Sequence, residues 1–415
     1  DSRCQAPSYL PVACQIMTTQ AYRIALLEFN KHWDSADGFS RILAGSDHQL
    51  TIYCDQYIHT CLAPYPHNEK VTFVIKEEGE TMHTFLYKHH DRFLQVDLIF
   101  INTIHVNPKS FLSLPFEKLT VLRVHNAFKQ FAPLRHIRIP FGLYYIRKAA
   151  SYVLKEMIIN RFVHYTEEIN TRVSRFTFLS DSITEFVKRQ KLVSPDRVMF
   201  SVPLLPYTPV TAEKPKDKII IAVVGSTDQR KKDYGPLVEA FTKLFSNTAA
   251  FPLPVELYLL GNSSGVYGQQ ITAQLDAIQS PGFKCYHYMK EVPVDTFDTI
   301  LYQSHFVLSP LRVKNITQVY EEIYGKTKYT ASIGTIIKYA HIGIFPSAFE
   351  YDASFEPHLL KYKNGEELST VLRQHLLHPQ LISDSLSKLK MFLADTYNKD
   401  TILSELEAFI EKNRT

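Results

Sequence analysis

The chain holds no Cys-x-x-Cys pair, and its five cysteines, Cys4, Cys14, Cys54, Cys61 and Cys285, form an odd set. That usage argues against a disulfide framework or a thiolate zinc site and predicts a reducing, cytoplasmic setting. The 17 histidines include no His-x-x-x-His or His-Glu-x-x-His spacing, and no Asp-x-Asp occurs, so no metal site is expected. No stretch approaches the roughly 18–20 consecutive apolar residues of a membrane-spanning helix. Residues 1–20 carry no secretory pattern, because Pro11 and Gln15 break their apolar positions. A net formal charge of only +4 gives no overall nucleic-acid footprint.

Apolar material is ample: 45% hydrophobic and 13% aromatic residues over 415 positions suffice for two domains with separate cores. Residues 218–234, KIIIAVVGSTDQRKKDY, open with an unbroken apolar run, as in a parallel strand buried on both faces. Gly225 ends that run, Ser226, Thr227 and Asp228 form a polar turn, and Arg230, Lys231 and Lys232 follow. Leu237, Ala240, Phe241 and Leu244 then recur with helical spacing. Ligands of open α/β sheets sit beyond the carboxyl ends of the strands, which puts Arg230 and Lys231 where a diphosphate would be held. A solvated basic turn is the other reading of these residues.

Residues 324–346, YGKTKYTASIGTIIKYAHIGIFP, form a second such segment. Tyr324, Gly325, Lys326 and Lys328 lead into Thr330 and Ser332, hydroxyl residues able to cap the helical run Ile333, Ile336, Ile337, Ala340. A helix starting there directs unpaired N–H groups and a partial positive charge outward, which suits a phosphate. An ordinary capped helix with solvated lysines accounts for the same pattern.

The order of these segments resembles the donor-binding half of retaining GT-B glycosyltransferases, which transfer sugars from nucleoside diphosphate donors. Gly225 with Arg230 and Lys231 matches the strand-end glycine and basic pair. Val255, Leu257, Leu259, Leu260 and Gly261 match the second strand, and Phe306, Val307, Leu308, Ser309 and Pro310 the strand ending in Ser-Pro. The resemblance covers most of residues 218–350 and is specific by order rather than by one motif. It implies an α/β GT-B fold, two Rossmann-like doubly wound domains facing each other across a cleft. It also implies a UDP- or GDP-sugar donor, no metal cofactor and retention of configuration. Catalytic roles fall to His125, Lys326 and Arg230. Donor-binding roles fall to Gly225, Ser226, Lys231, Gly261, Glu322, Tyr324, Gly325, Thr330, Ser332 and Thr335.

The chain departs from the family at three positions. Ser226 stands where many members have arginine, and Thr327 and Thr335 stand where two glutamates spaced eight apart contact sugar and ribose. Glu321 and Glu322, just before the loop, are the carboxylates left to reach the donor if residues 311–323 rearrange the backbone. A surface acidic pair is the other reading.

Residues 23–29, 49–54, 70–76, 97–102, 119–124 and 176–179 read as strands separated by helical stretches, a second doubly wound sheet. The expected plan is an acceptor-binding domain at 1–205, a linker at 206–217 within the Pro-rich run 203–218, and a donor domain at 218–395. A helix at 396–415 then crosses back. His125 follows the strand at 119–124, at its end. The resemblance gives it a donor-sugar or acceptor-orienting role, while a hydrogen-bonded structural histidine is the alternative. His32, Trp33 and Asp34 read as an acceptor-docking loop or as a capping turn with an aromatic plug. In residues 129–148, Arg135, Arg138 and Arg147 lie among Phe141, Leu143, Tyr144 and Tyr145. This region fits a surface resting on anionic lipid heads and a buried amphipathic helix equally.

The expected activity is glycosyl transfer of the hexosyltransferase class to a saccharide or lipid-linked hydroxyl. It would serve cell-surface polysaccharide or glycolipid synthesis, in the cytoplasm or at the inner membrane face. A nucleotide-sugar epimerase of the same fold and an inactive scaffold subunit are the rivals.

Overall fold

A computed structural model describes residues 20–413 apart from 30, 66–67, 106, 139–142, 156–160, 210, 229–230, 247–250 and 318. The first sheet consists of β1 (Arg23–Glu28), β2 (Gln49–Cys54), β3 (Thr72–Ile75), β4 (Leu98–Ile101), β5 (Thr120–Arg123) and β6 (Arg175–Thr177). All pairings are parallel, in the order β3-β2-β1-β4-β5-β6. β4, LIFI, is buried at every position because helices cover both faces, so it reads as an unbroken apolar run. The second sheet contains β7 (Ile219–Val224), β8 (Val255–Asn262), β9 (Phe283–Tyr288) and β10 (Phe306–Leu308). After a hairpin of β11 (Lys314–Thr317) and β12 (Tyr320–Ile323), it continues with β13 (Ile342–Pro346) and β14 (Leu359–Tyr362). Its order is β14-β13-β10-β7-β8-β9, again parallel, so each sheet repeats one plan about its first strand.

In such a sheet the chain winds outward in both directions from one point, between β1 and β4 in the first domain and between β7 and β10 in the second. Loops diverge there and leave a crevice at the carboxyl ends of the strands. Those two points determine which residues can meet a ligand.

The sequence reading anticipated neither β9 and β14 nor the hairpin. Residues 311–323, read as a long rearranging segment, fold into β11 and β12, which pair antiparallel and form a sheet of their own. The hairpin packs on the N-terminal domain: Val319, Tyr320 and Ala149 are buried together with Ile137 and Tyr152 against them.

The last helix, Lys399–Asn413, leaves the second domain and buries Ile402, Leu406 and Ile410 against Ile24, Leu26 and Phe39 of the first. Tyr22 Oη donates to Glu411 Oε2 at 2.9 Å, and Lys399 Nζ donates to the Ala44 carbonyl at 2.8 Å. Where the chain crosses between domains for the first and second times the two crossings touch, the Tyr207 N–H donating to the Tyr397 carbonyl at 2.8 Å. Cys54, Cys61 and Cys285 are free, while Cys4 and Cys14 lie outside the described residues. Among the described residues no helix is long and apolar enough to cross a membrane.

Candidate active site

The carboxyl edge of the first sheet is filled by inward-folded polar side chains. Glu28 ends β1 and is fully buried; its Oε2 accepts from Asn102 Nδ2 at 2.6 Å and its Oε1 from the His32 N–H at 3.3 Å. Asn102 Oδ1 in turn accepts from Arg123 Nη1 and from Ser35 Oγ, both at 2.8 Å. Arg123, at the end of β5, is 1% exposed and lies over the Phe100 ring at 5.0 Å; its Nε and Nη2 have no hydrogen-bond partner. Burial pushes the Glu28 carboxyl up to about 8 and the Arg123 guanidinium down to about 9, so at neutral pH the acid is protonated and the arginine charged.

His125 stands on this platform. Its Nε2 lies 3.2 Å from the Asn102 carbonyl oxygen, which can only accept. Nε2 therefore carries the hydrogen and Nδ1 is left as the acceptor. The His32 ring stacks on it at 4.4 Å, 28° from parallel. Burial, and then the neighbouring His32 and Arg123, hold His125 well below the usual histidine range, and burial also lowers His32. Both rings are neutral at physiological pH. Asp34, in the first turn of helix Trp33–Leu43, is pushed up by burial against the pull of His32. Trp33 stacks on Tyr65 at 6.3 Å.

The corresponding edge of the second sheet is built from small residues. Gly225 follows β7 at φ +83°, and both it and Ser226 are exposed. A Cβ on Gly261 would collide with the Gly225 carbonyl carbon, so glycine there lets the turn close on β8. Lys232 folds back into the turn, its Nζ donating to the Val224 and Gly225 carbonyls at 2.6 Å each, and burial pushes it down to about 7. Lys231 is exposed, and Arg230 lies outside the described residues. Thr330 caps helix Ala331–Tyr339, its Oγ1 accepting from the Ser332 N–H at 3.4 Å. The Ser332 hydroxyl meets Ser309 Oγ beyond β10 at 2.8 Å, and Thr335 Oγ1 donates to the Ala331 carbonyl at 3.1 Å. Gly325, at φ +83°, passes so close to Glu350 that a Cβ would overlap its carbonyl oxygen. Lys326 Nζ lies 2.8 Å from Glu350 Oε1. Tyr324 is buried with Lys328 Nζ 5.2 Å from its ring centre.

The two edges meet. Asn126 pairs with Lys328, the Ala127 N–H donates to the Thr327 carbonyl at 2.8 Å, and the Lys129 N–H donates to Glu322 Oε1 at 3.1 Å. Burial lowers the Lys328 amine to about 8; Glu322 opposes that, while Lys231 and Lys129, from opposite domains, reinforce it. Lys129 and Lys31 likewise join burial in holding His105 down at about 4. Lys129 and Lys328 are thus carried by the segments through which the two edges meet.

Of the residues singled out in sequence, His125, Gly225, Ser226 and Lys231 lie at the facing edges, with Thr330, Ser332 and Tyr324 beside them. Gly261 and Gly325 give the backbone room, Lys326 turns to Glu350, and Thr335 bonds its own helix. Glu322 turns into the first domain, and Glu321 Oε2 lies 3.9 Å from Arg138 Nε. Phe141 lies outside the described residues, as do the side chains of Leu143, Tyr144 and Tyr145; Arg147 is exposed on helix Leu143–Tyr152. Glu28, Asn102, Arg123 and Lys129 were not anticipated as site residues, while Lys328 was read only as part of the phosphate-suited segment 324–346. For Glu28, Asn102 and Arg123 the signal in the sequence was a polar residue closing an apolar strand, as in RIALLE, DLIFIN and VLR.

No family model and no curated protein matches the chain. Among solved structures it is similar to the N-terminal domain of trehalose-6-phosphate phosphatase from Candida albicans, with TM-score 0.54 and 10% identity over 95% of this chain and 97% of that one. It is similar to apo OtsA at TM-score 0.53 and 10% identity, covering 95% and 99% of the two chains. AviGT4, a glycosyltransferase involved in avilamycin A biosynthesis, gives TM-score 0.51 and 11% identity over 94% and 97%. Together with the two six-stranded parallel sheets, these likenesses establish the fold as GT-B.

Proposed function

We propose that the chain is a glycosyltransferase which moves a sugar from a nucleoside diphosphate donor to a hydroxyl of a saccharide or lipid-linked acceptor. The observation that carries this reading is the meeting of the two sheet edges, where Asn126 pairs with Lys328 and the Lys129 N–H donates to Glu322 Oε1 at 3.1 Å, beside the exposed Gly225–Ser226 turn and Lys231. When the bond from the sugar C1 to the diphosphate breaks, negative charge collects on the leaving group, and preorganised cations stabilise it. Lys231 and Lys328, with the Gly225–Ser226 turn and the start of helix Ala331–Tyr339, would supply that stabilisation. His125, neutral and with Nδ1 as acceptor, would take a hydrogen bond from a sugar hydroxyl. The acceptor oxygen then bonds C1, and its proton leaves with the diphosphate.

Retention of configuration, a cytoplasmic or inner-membrane setting and a role in polysaccharide or glycolipid synthesis are part of the same proposal. They follow the resemblance of the donor half. The test is thermal stabilisation by a panel of UDP, GDP, ADP and CMP sugars, because a ligand that binds only the folded state raises its stability. A shift with one base, lost in Lys328→Ala and Lys231→Ala, supports the reading. No shift with any donor overturns it, and donor turnover without acceptor dependence makes the protein an epimerase.

A further inference from the structure

Glu322 lies between the two halves of the proposed donor site. It is 0% exposed, sits on the hairpin that leaves the second sheet, and accepts from the main chain of the other domain through Oε1 while Oε2 makes no hydrogen bond. A buried carboxylate costs desolvation free energy, which here Thr327, Lys328 and the main chain at Phe128 and Lys129 offset only in part. On one side of the carboxyl is the helix carrying Lys129, on the other the loop carrying Lys328. The contacts flanking it, Ala127 N–H to the Thr327 carbonyl and Asn126 against Lys328, are main-chain pairings that any sequence could make. The Glu322 bond requires this side chain.

We infer that Glu322 is a positioning residue of the donor site: it ties the Lys129 helix to the Lys328 loop and so sets the span across which a diphosphate is gripped. The inference rests on the cleft being the donor site. Glu322 does not touch the donor itself. Its carboxylate is the acidic neighbour that raises Lys328, and burial pushes its own carboxyl up to about 7 against the pull of Thr327, the Lys129 N–H and Lys328. The groups facing it are Thr327 and Lys328 from its own loop and Lys129 and the Phe128 main chain from the helix, with Lys231 beyond Lys328. Glu321, next to it, faces Arg138. A diphosphate arriving between Lys129 and Lys328 brings a second negative charge to the same amines. Like charges disfavour the ionised carboxylate, so Glu322 takes a proton from solvent as the anion binds. The protonated acid keeps an oxygen for the Lys129 N–H.

The experiment is calorimetric titration of UDP and GDP into wild type, Glu322→Gln, Glu322→Ala and Lys328→Ala at pH 7.5. Two buffers of different protonation enthalpy are used, and folding is checked by circular dichroism. Wild type is expected to take up roughly half a proton or more on binding. Glu322→Gln is expected to bind no more weakly than wild type and to take up clearly less, because the amide preserves the tie and cannot titrate. Glu322→Ala is expected to bind about tenfold more weakly, since both the tie and the charge are lost. If Glu322→Gln takes up as many protons as wild type, or Glu322→Ala binds equally well, the positioning role is overturned. In either case loss of binding in Lys328→Ala leaves the donor site standing. If neither nucleotide binds wild type, both readings fall.

Discussion

At the carboxyl edge of the first sheet, long polar side chains fold inward and bond one another. The same edge of the second sheet is lined by glycines and short hydroxyls, with the Gly225–Ser226 turn exposed. The strand order is identical, so the difference lies in the residues that end equivalent strands: Glu28 against Val224 and Gly225, Asn102 against Ser309. A filled edge presents one oriented side chain, His125, to the cleft. An open edge leaves the Gly225–Ser226 turn exposed beside the start of helix Ala331–Tyr339. One architecture thus yields a side-chain surface and a backbone surface facing each other.

The comparison breaks most severely if the open edge loses its glycine. Gly325→Ala combines a left-handed φ with overlap on the Glu350 carbonyl, and a loss of about 3 kcal/mol or more is expected by urea denaturation. Gly79→Ala, at φ +80° with nothing within 4 Å, is the control and should lose only about 1 kcal/mol.

The filled edge should show its character in pH dependence. Because the folded Glu28 carboxyl titrates near 8, the unfolded chain ionises first, and wild-type stability falls as pH rises from the ordinary carboxylate range through about 8. Glu28→Gln removes that slope. Relative to wild type it should be more stable at pH 8 than at pH 5 by a few kcal/mol, at about 1.4 kcal/mol per pH unit. Denaturation midpoints that move in parallel at both pH values would place the ionised form in the folded state.

Smaller effects separate neighbouring lysines. Lys328→Ala should weaken nucleoside diphosphate binding about tenfold, a loss of about 1.4 kcal/mol. Lys326→Ala should change both binding and stability by less than about 1 kcal/mol, since its partner Glu350 is 64% exposed and the pair is screened by water. Equal losses in the two variants would make Lys326 part of the grip.

How much could be read from sequence varies along these same lines. Strands buried on both faces, such as β4 and β7, announce themselves as apolar runs, and with the glycine turns they carried the doubly wound plan and the GT-B fold. Edge strands β9 and β14 did not, because FKCYHY and LLKY bury only part of their length and lack a run. The hairpin was hidden for another reason: its packing partner is the other domain, which leaves no local period. Within the site, order along the chain could place the Gly225 turn and the Thr330 cap near one edge. It could not tell Lys231 from Lys232, or Lys326 from Lys328, since an exposed carboxylate or a buried carbonyl elsewhere in the chain decides where each amine points. Glu28 and Arg123 were visible only as charges closing apolar runs, and their network depends on three strand ends meeting.

The returning C-terminal helix has a mechanical consequence. The chain passes between the domains twice, and the two passages are hydrogen-bonded to each other at Tyr207 and Tyr397. A hinge at these passages would have to bend both together, and opening it would break the Ala127–Thr327 and Lys129–Glu322 bonds between the sheet edges. Cutting the chain before residue 399 would leave one passage instead of two and expose the apolar face around Ile24 and Leu26.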